Sequence, residues 1–393
     1  MPNPLLSRRQ FVSGLAVAGT SLALSPGVRA GSGKKTPKAV IQETRVISWE
    51  SDKYHGWPTI ARRADGELLL AYSGREEHAC PFGRLELMRS KDGGRTWSWP
   101  QVIYDSPVDD RDGGIIETAK GSLLITTVTN NQWEKKLNEA SRGEDEARFS
   151  RWRAAQDRVP ASQRKGELGS FLLRSTDGGV TWSPRQRLVL HSPHGPTQLR
   201  DGRLLYPGIA RWLPEKKMGV CESTDDGVTW TWLSDIPHRP GDRLIESEGH
   251  YNYIELSAVE CDDGKIVCQL RNRNKANEGE TLQTESSDGG RSWNTPHPIG
   301  VWGVPSHLLH LNDGRILMTY GHRRKPFGNQ ARVSADNGAT WSEPMILSGD
   351  GAGFDLGYPS TVQLEDGTLV TVWYEKFADN PRAQLRQAWW KLA

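Results

Sequence analysis

The sequence predicts an all-β chain folded as a six-bladed β-propeller, and three observations carry that prediction. An eight-residue turn motif recurs five times, a strand–turn–strand unit recurs six times out of phase with it, and the apolar residues fall in runs the length of strands rather than helices. With 41 glycines and 23 prolines in 393 residues the chain is also dense in turns. Closed all-β folds often exceed the usual domain length, so one domain can hold all of it.

The turn motif reads SKDGGRTW from Ser90, STDGGVTW from Ser175, STDDGVTW from Ser223, SSDGGRSW from Ser286 and SADNGATW from Ser334. A short acid accepts hydrogen bonds from the backbone of its own turn, glycine supplies the positive φ, and the indole folds back over the hairpin. Such a unit satisfies itself. It is expected to be structural and to lie on the outer part of a blade, away from any ligand.

The hairpins run from Trp57 to Arg75, from Arg111, from His194, from Tyr253 to Arg271, from Val304, and from Gly357 to Glu375. Each is a short strand, a turn at Asp-Gly or Lys-Gly, and a strongly apolar strand. Six hairpins alternating with five outer turns suit four-stranded blades arranged radially. The last hairpin has no turn motif after it, so the strand around Glu43 to Trp49 is expected to complete its blade and seal the ring. The propeller is placed at residues 43–393, after a linker at 31–42.

Asn131 to Glu167 departs from the pattern, being rich in Glu, Lys, Arg and Ala and poor in β-branched residues, so it is expected to form helix. It reads as an insertion in blade two, either a solvated surface helix or a lid beside the mouth of the ring. At the other extreme of the chain, Arg8-Arg9 precedes a weakly apolar run from Phe11 to Leu24 and a small residue at Ala30. This resembles a twin-arginine export signal over residues 1–30, which places the protein in the periplasm or outside the cell.

A net charge of +2 gives no case for a nucleic-acid or membrane partner, and a monomer is expected. Cys80, Cys221, Cys261 and Cys268 are scattered without metal-ligand spacing and are read as packing residues. There is no HExxH, no CxxC pair and no calcium-loop spacing, so neither a metal nor a cofactor is expected.

In a propeller, equivalent positions of the inner strands surround one mouth of the central channel. The hairpin starts therefore converge Gly56 and Trp57, Arg111 and Asp112, His194, Tyr253 and Glu255, Pro305 with His307, and Asp355 with Tyr358. A structural core would not choose these residue types.

The five boxes and these segments together resemble the sialidase superfamily, whose members carry Asp-box turns on a six-bladed propeller and cleave terminal sialic acid with retention. IELSAVECDDGKIVCQLR is similar to the family segment that begins at a catalytic Glu and ends at a carboxylate-binding Arg, which implies those roles for Glu255 and Arg271. GYPSTVQLEDGTLVTVWYE is similar to the segment of the nucleophilic Tyr, which implies that role for Tyr358. A phenol needs a carboxylate to take its proton, and a neutral nucleophile approaches an anionic sugar more easily than a charged one. Arg324 lies where the family keeps its third arginine, with Arg323 beside it as a second candidate.

Two family features are missing. Gly56 stands where the first arginine belongs, and the loop REEHACPFG holds Glu76, Glu77 and His78 but no acid/base aspartate. DDRDGG offers replacements for both, Arg111 as the anion clamp and Asp112 as the acid/base. Trp57 would present an apolar face to the sugar, with His78 and His307 also facing the substrate. The implied activity is an exo-glycosidase acting on a terminal acidic sugar of a glycan. A polysaccharide lyase using Tyr358 with His78 or His307 beside a uronate remains open, as does a glycan-binding propeller without catalysis.

Overall fold

Several second strands of the hairpins are buried along their whole length, among them Leu68–Arg75, Leu123–Thr129 and Leu204–Ile209. A strand apolar on both faces must lie between two other layers, which a radial stack of sheets supplies. The computed structural model describes residues 36–139, 145–247, 250–275 and 277–393. The export segment at 1–30 lies outside the described residues.

Six four-stranded antiparallel sheets follow one another in the chain. Their inner strands are Tyr54–Arg62, Asp110–Glu117, Thr197–Gln198, Tyr253–Glu260, Ser306–His310 and Leu356–Gln363. The outermost strand of blade six is Ala39–Val46, paired antiparallel with Asn380–Leu392 from Ala39↔Leu392 to Val46↔Arg386. It starts inside the segment read as linker and stops three residues short of Trp49, because its register follows the C-terminal strand. A two-stranded ribbon, Ile245–Ser247 with His250–Tyr251, precedes blade four and has no counterpart in the repeat.

Burial as well as strand pairing joins the blades into a ring. Six apolar clusters each join two neighbouring blades: Leu69 and Leu85 of blade one meet Ile115 and Leu123 of blade two, and so on around to Leu70 and Met88, which meet Val370 and Trp389 of blade six. Cys80, Cys221, Cys261 and Cys268 are buried and free. Among the described residues no helix is long and apolar enough to cross a membrane.

The five boxes connect the third and fourth strands of blades one to five, at the periphery. Their hydrogen bonding repeats with little variation. In the first, Asp92 accepts from the Thr96 amide at 2.8 Å and the Thr96 hydroxyl at 2.6 Å, while Ser90 accepts from the Gly94 amide at 2.8 Å. In the last, Asp336 accepts from Thr340 at 2.8 and 2.6 Å and Ser334 from Gly338 at 2.8 Å.

The insertion forms α1 (Gln132–Glu139), α2 (Glu146–Asp157) and α3 (Ala161–Glu167). It leaves blade two at Thr129, which pairs with Asp110 at the start of the inner strand, so it emerges at the mouth. Trp133 and Leu137 of α1 and Phe149 and Trp152 of α2 bury themselves against Ala79, Cys80 and Phe82 of the blade-one loop. Glu77 pairs with Lys136 and Arg148 across the same contact, at 3.6 and 3.5 Å. The insertion is packed onto the propeller rather than solvated on all sides.

Candidate active site

The strand registers turn the sequence repeat into geometry. In each blade the inner and second strands meet nearest their turn at one pair: Arg62↔Leu68, Glu117↔Leu123, Gln198↔Leu204, Glu260↔Ile266, His310↔Ile316 and Gln363↔Leu369. Counting back five residues along the inner strands from those pairs gives Trp57, Asp112, Pro193, Glu255, Pro305 and Tyr358. Counting forward seven along the second strands gives Arg75, Asn130, Arg211, Arg273, Arg323 and Lys376. The first ring is chemically mixed and the second is almost wholly cationic.

At the four non-proline positions of the first ring the ladder is interrupted by a bulge and the residue takes a left-handed backbone, with φ of 54° at Trp57, 57° at Asp112, 61° at Glu255 and 51° at Tyr358. Each costs on the order of 1–3 kcal/mol, and strain of this kind persists where function requires a side chain to be re-aimed. All four side chains line a single cavity of about 1060 Å³ at the mouth of the channel. Five of the six residues of the second ring line it too, Arg75 being the exception.

The Tyr358 hydroxyl donates to Glu255 Oε1 at 2.5 Å, and Arg271 Nη1 donates to both Glu255 oxygens at 3.2 Å. Burial, reinforced by the Glu255 charge, raises the Tyr358 phenol well above its ordinary range, so it is neutral until a base takes its proton. Burial alone would raise Glu255 as well. Arg271, Arg323 and the Tyr358 hydrogen bond outweigh it and hold the carboxyl below its ordinary value, ionised and ready to accept. Arg323 approaches to 5.7 Å of the Tyr358 ring and is steadied by donating to the Leu356 carbonyl at 3.1 Å.

Blade one and the start of blade two build a second wall. The Arg111 guanidinium lies 4.4 Å from the centre of the Trp57 ring, with Asp109 at 3.5 Å and Gln132 of α1 at 3.4 Å. Arg75, fully buried, pairs with the other oxygen of Asp109 and also lies over Trp57, at 5.0 Å. Its charge is thereby spent on Asp109, which explains why this member of the cationic ring does not reach the cavity. Asp112 Oδ2 sits 3.2 Å from His191 Nε2. Burial would raise Asp112, but His191 and then Arg111 and Arg211 prevail and hold it below its ordinary value.

His78 lines the cavity with about half its side chain exposed, 3.1 Å from Asp355 Oδ1. Two of the sequence-derived candidates are elsewhere. Arg324 does not line the cavity and lies 5.2 Å from the Trp302 ring; its neighbour Arg323, the first residue past the strand Ile316–His322, takes the place in the cavity wall. His307 lies two residues deeper than Pro305 and lines a second, 330 Å³ cavity further down the channel, where its ring is 5.9 Å from that of His194. Desolvation lowers His307 to about 3 and His194 to about 4, so both are neutral.

Sequence reasoning passed over Arg211, Arg273, Lys376, His191 and the Asp109 that seats Arg111. The cations leave a signal in the sequence, because SGR, ARW, RNR, HRR and YEK recur at one repeat position, at or close to the end of five of the six second strands. Among the described residues one group of possible metal ligands, Glu50, His55 and Glu86, lies within 4.8 Å. None of the three lines the cavity, and Arg84 already pairs with Glu86 at 2.5 Å and approaches Glu50 at 3.7 Å.

A family model described as a BNR repeat-like domain matches residues 157–371. A sialidase from Micromonospora viridifaciens is 25% identical over 98% of this chain, and a sialidase from Bacteroides fragilis is 22% identical over 81%. The chain spans about 60% of the length of those two relatives. Among solved structures, a protein of unknown function from Dyadobacter fermentans superposes with a TM-score of 0.73 at 22% identity, covering 92% of this chain and 100% of that one.

Proposed function

The chain belongs to the BNR repeat-like domain family, within the sialidase superfamily, and from that premise we propose that it is an exported exo-glycosidase removing a terminal acidic sugar, sialic acid or a close relative, from glycans. The observation that carries this reading is the Tyr358–Glu255 hydrogen bond of 2.5 Å set inside a cavity lined by five arginines. Tyr358 is the nucleophile and Glu255 its base. Arg271, Arg323 and Arg111 bind the sugar's carboxylate, for which planar guanidinium forks are the best protein partners. Trp57 offers its ring face, and export rests on the Arg8-Arg9 segment.

Incubation of the full chain with a 4-nitrophenyl α-sialoside and with a panel of uronate-containing oligosaccharides tests the proposal. Release of 4-nitrophenol with free sialic acid is the expected result. An unsaturated uronate absorbing in the near ultraviolet would make the chain a lyase. Retention of intact glycans without turnover would make it a binding propeller.

A further inference from the structure

We infer that His78, oriented by Asp355, is the general acid/base of the site. The inference rests on the glycosidase reading above and adds the one proton carrier that reading lacks. Retaining glycoside cleavage needs a base for the nucleophile and an acid for the leaving oxygen, placed on different sides of the breaking bond. Glu255 is committed to Tyr358 and Arg271. Asp112, which the sequence suggested for the second role, has its carboxylate 3.2 Å from His191 Nε2 and is flanked by Arg111 and Arg211, so its oxygens are engaged by neighbouring cations and donors.

His78 has what Asp112 lacks. Its ring centre is 5.2 Å from that of Trp57, which is in turn 6.5 Å from that of Tyr358, and the imidazole lines the same cavity as the nucleophile. Nδ1 lies 3.1 Å from Asp355 Oδ1 and 2.9 Å from the Tyr54 oxygen, and the Tyr54 hydroxyl donates to that same carboxylate oxygen at 2.9 Å. The Tyr374 hydroxyl donates to it at 3.2 Å, and Lys376 Nζ holds Oδ2 at 2.8 Å. Four groups thus fix Asp355, and Asp355 fixes the tautomer of His78 with its proton on Nδ1. Nε2 has no hydrogen bond among the described residues. A carboxylate behind Nδ1 and an Nε2 without a hydrogen-bond partner, on a half-exposed ring that lines the cavity, is the arrangement by which an imidazole exchanges protons with a substrate.

In the first half-reaction the Tyr358 oxygen bonds to the anomeric carbon while Glu255 takes the phenolic proton. The bond to the leaving oxygen breaks, its electron pair stays with that oxygen, and the proton from His78 Nε2 joins it. In the second, Nε2 takes a proton from water as the water oxygen bonds to the anomeric carbon. The bond to Tyr358 breaks and the phenolate recovers its proton from Glu255. One water is consumed and two hydroxyl compounds are formed.

The test compares two sialosides, one with a 4-nitrophenyl and one with a methyl leaving group, on the full chain and on His78→Gln, Asp355→Asn and Asp112→Asn. His78 is half exposed, so His78→Gln is expected to melt with the wild type. Its kcat/KM should fall by on the order of 10²- to 10⁴-fold on the methyl sialoside, which needs a proton on its leaving oxygen, and far less on the nitrophenyl one. Added azide should restore turnover of the nitrophenyl substrate by giving the glycosyl azide.

Asp355 is a positioning residue, and its variant is read by pH. Among the described residues the charged or titratable groups around His78 include Asp355 and Tyr54, Arg75, whose Nη1 lies 3.4 Å from the His78 carbonyl, Arg111, and Lys376 and Tyr374, which act through Asp355. The protonated imidazole is the active form, so kcat/KM should fall as pH rises through a pKa below the ordinary ~6.5. Asp355→Asn removes a charge that favours protonation, and the fall should move to lower pH. Equal losses on both leaving groups, absence of azide rescue, or a leaving-group dependence found in Asp112→Asn instead would each overturn the role of His78 while leaving the glycosidase reading intact. A wild-type chain inert toward both sialosides overturns that reading and this role with it.

Discussion

The outer turns and the inner bulges are both repeats, and they repeat different things. At the periphery the residues are nearly constant: Ser, Asp, Gly and Ser or Thr recur with the same hydrogen bonds within about 0.2 Å, from Asp92 to Asp336. At the mouth the backbone is constant, with a bulge and a left-handed φ in four blades, while the side chains are Trp57, Asp112, Glu255 and Tyr358. Constant residues on a constant backbone mark a part that serves the fold alone. Varied residues on a constant, strained backbone mark a platform that aims different chemistry at one point. The outer turns stand away from the cavity, whereas all four bulge residues line it.

The sharpest way to break this contrast is Tyr358→Phe. The ring and its packing are kept, so the melting temperature should stay near that of the wild type while turnover falls by on the order of a thousandfold or more. Retained turnover would move the chemistry off the bulges.

Arg111→Ala set beside Arg95→Ala tests the same contrast on cations. Arg111 stacks on Trp57 in the cavity wall, whereas Arg95 belongs to an outer turn and pairs with Glu43 at the surface, at 2.8 Å. A lost charge-assisted hydrogen bond is worth roughly 1.5–3 kcal/mol, so KM should rise about ten- to a hundredfold for the first variant. Steady-state kinetics should find no change for the second. Equal effects would mean that Arg111 does not bind the substrate.

His194 and His307 sharpen the comparison by adding the floor of the channel. Both titrate in the folded chain well below ~6.5, the unfolded value, at about 4 and about 3. Between those limits the unfolded chain binds protons that the folded chain refuses. Their contribution is therefore complete above pH ~6.5 and is lost progressively as the pH falls toward 4 and below. Thermal melts across this range should show the decline, and the double variant His194→Gln, His307→Gln should flatten it. A decline of unchanged slope would assign it to the carboxylates.

The smallest effect is expected at the periphery. Asp92→Ala removes the acceptor of its turn and should lower the melting temperature by a few degrees at most, with kcat and KM unaltered. A change in kinetics from that distance would show that the outer turns and the mouth are coupled.

Much of the fold was legible because it depends on near neighbours. A box closes hydrogen bonds between residues two and four apart, as from Ser90 to Asp92 and from Thr96 to Asp92, so its sequence carries its whole reason for forming. The hairpins likewise declare themselves through turn residues and apolar runs, and the composition of 131–167 declares the helices. Ring closure by Ala39–Val46 was legible in outline only, since its register is set by a partner strand that ends at Leu392.

The site divides along the same line. That Tyr358, Glu255 and Arg111 belong near one mouth follows from the repeat, and Arg271 joins them through the family resemblance of its segment, so all four were within reach of the sequence. Which atoms meet does not follow from it. The Tyr358–Glu255 bond spans 103 residues and exists because two bulges in different blades turn their side chains toward one another. A single step along the chain separates Arg323 in the cavity from Arg324 against Trp302, and two steps carry His307 from the mouth down into the channel. Such choices depend on where each strand begins and ends against its partners, as the strands Ser306–His310 and Ile316–His322 do, and that is set by pairing with neighbours distant in sequence. Residue types and their repeat were determined by the chain alone; their aim was decided by the packing of six blades around one axis.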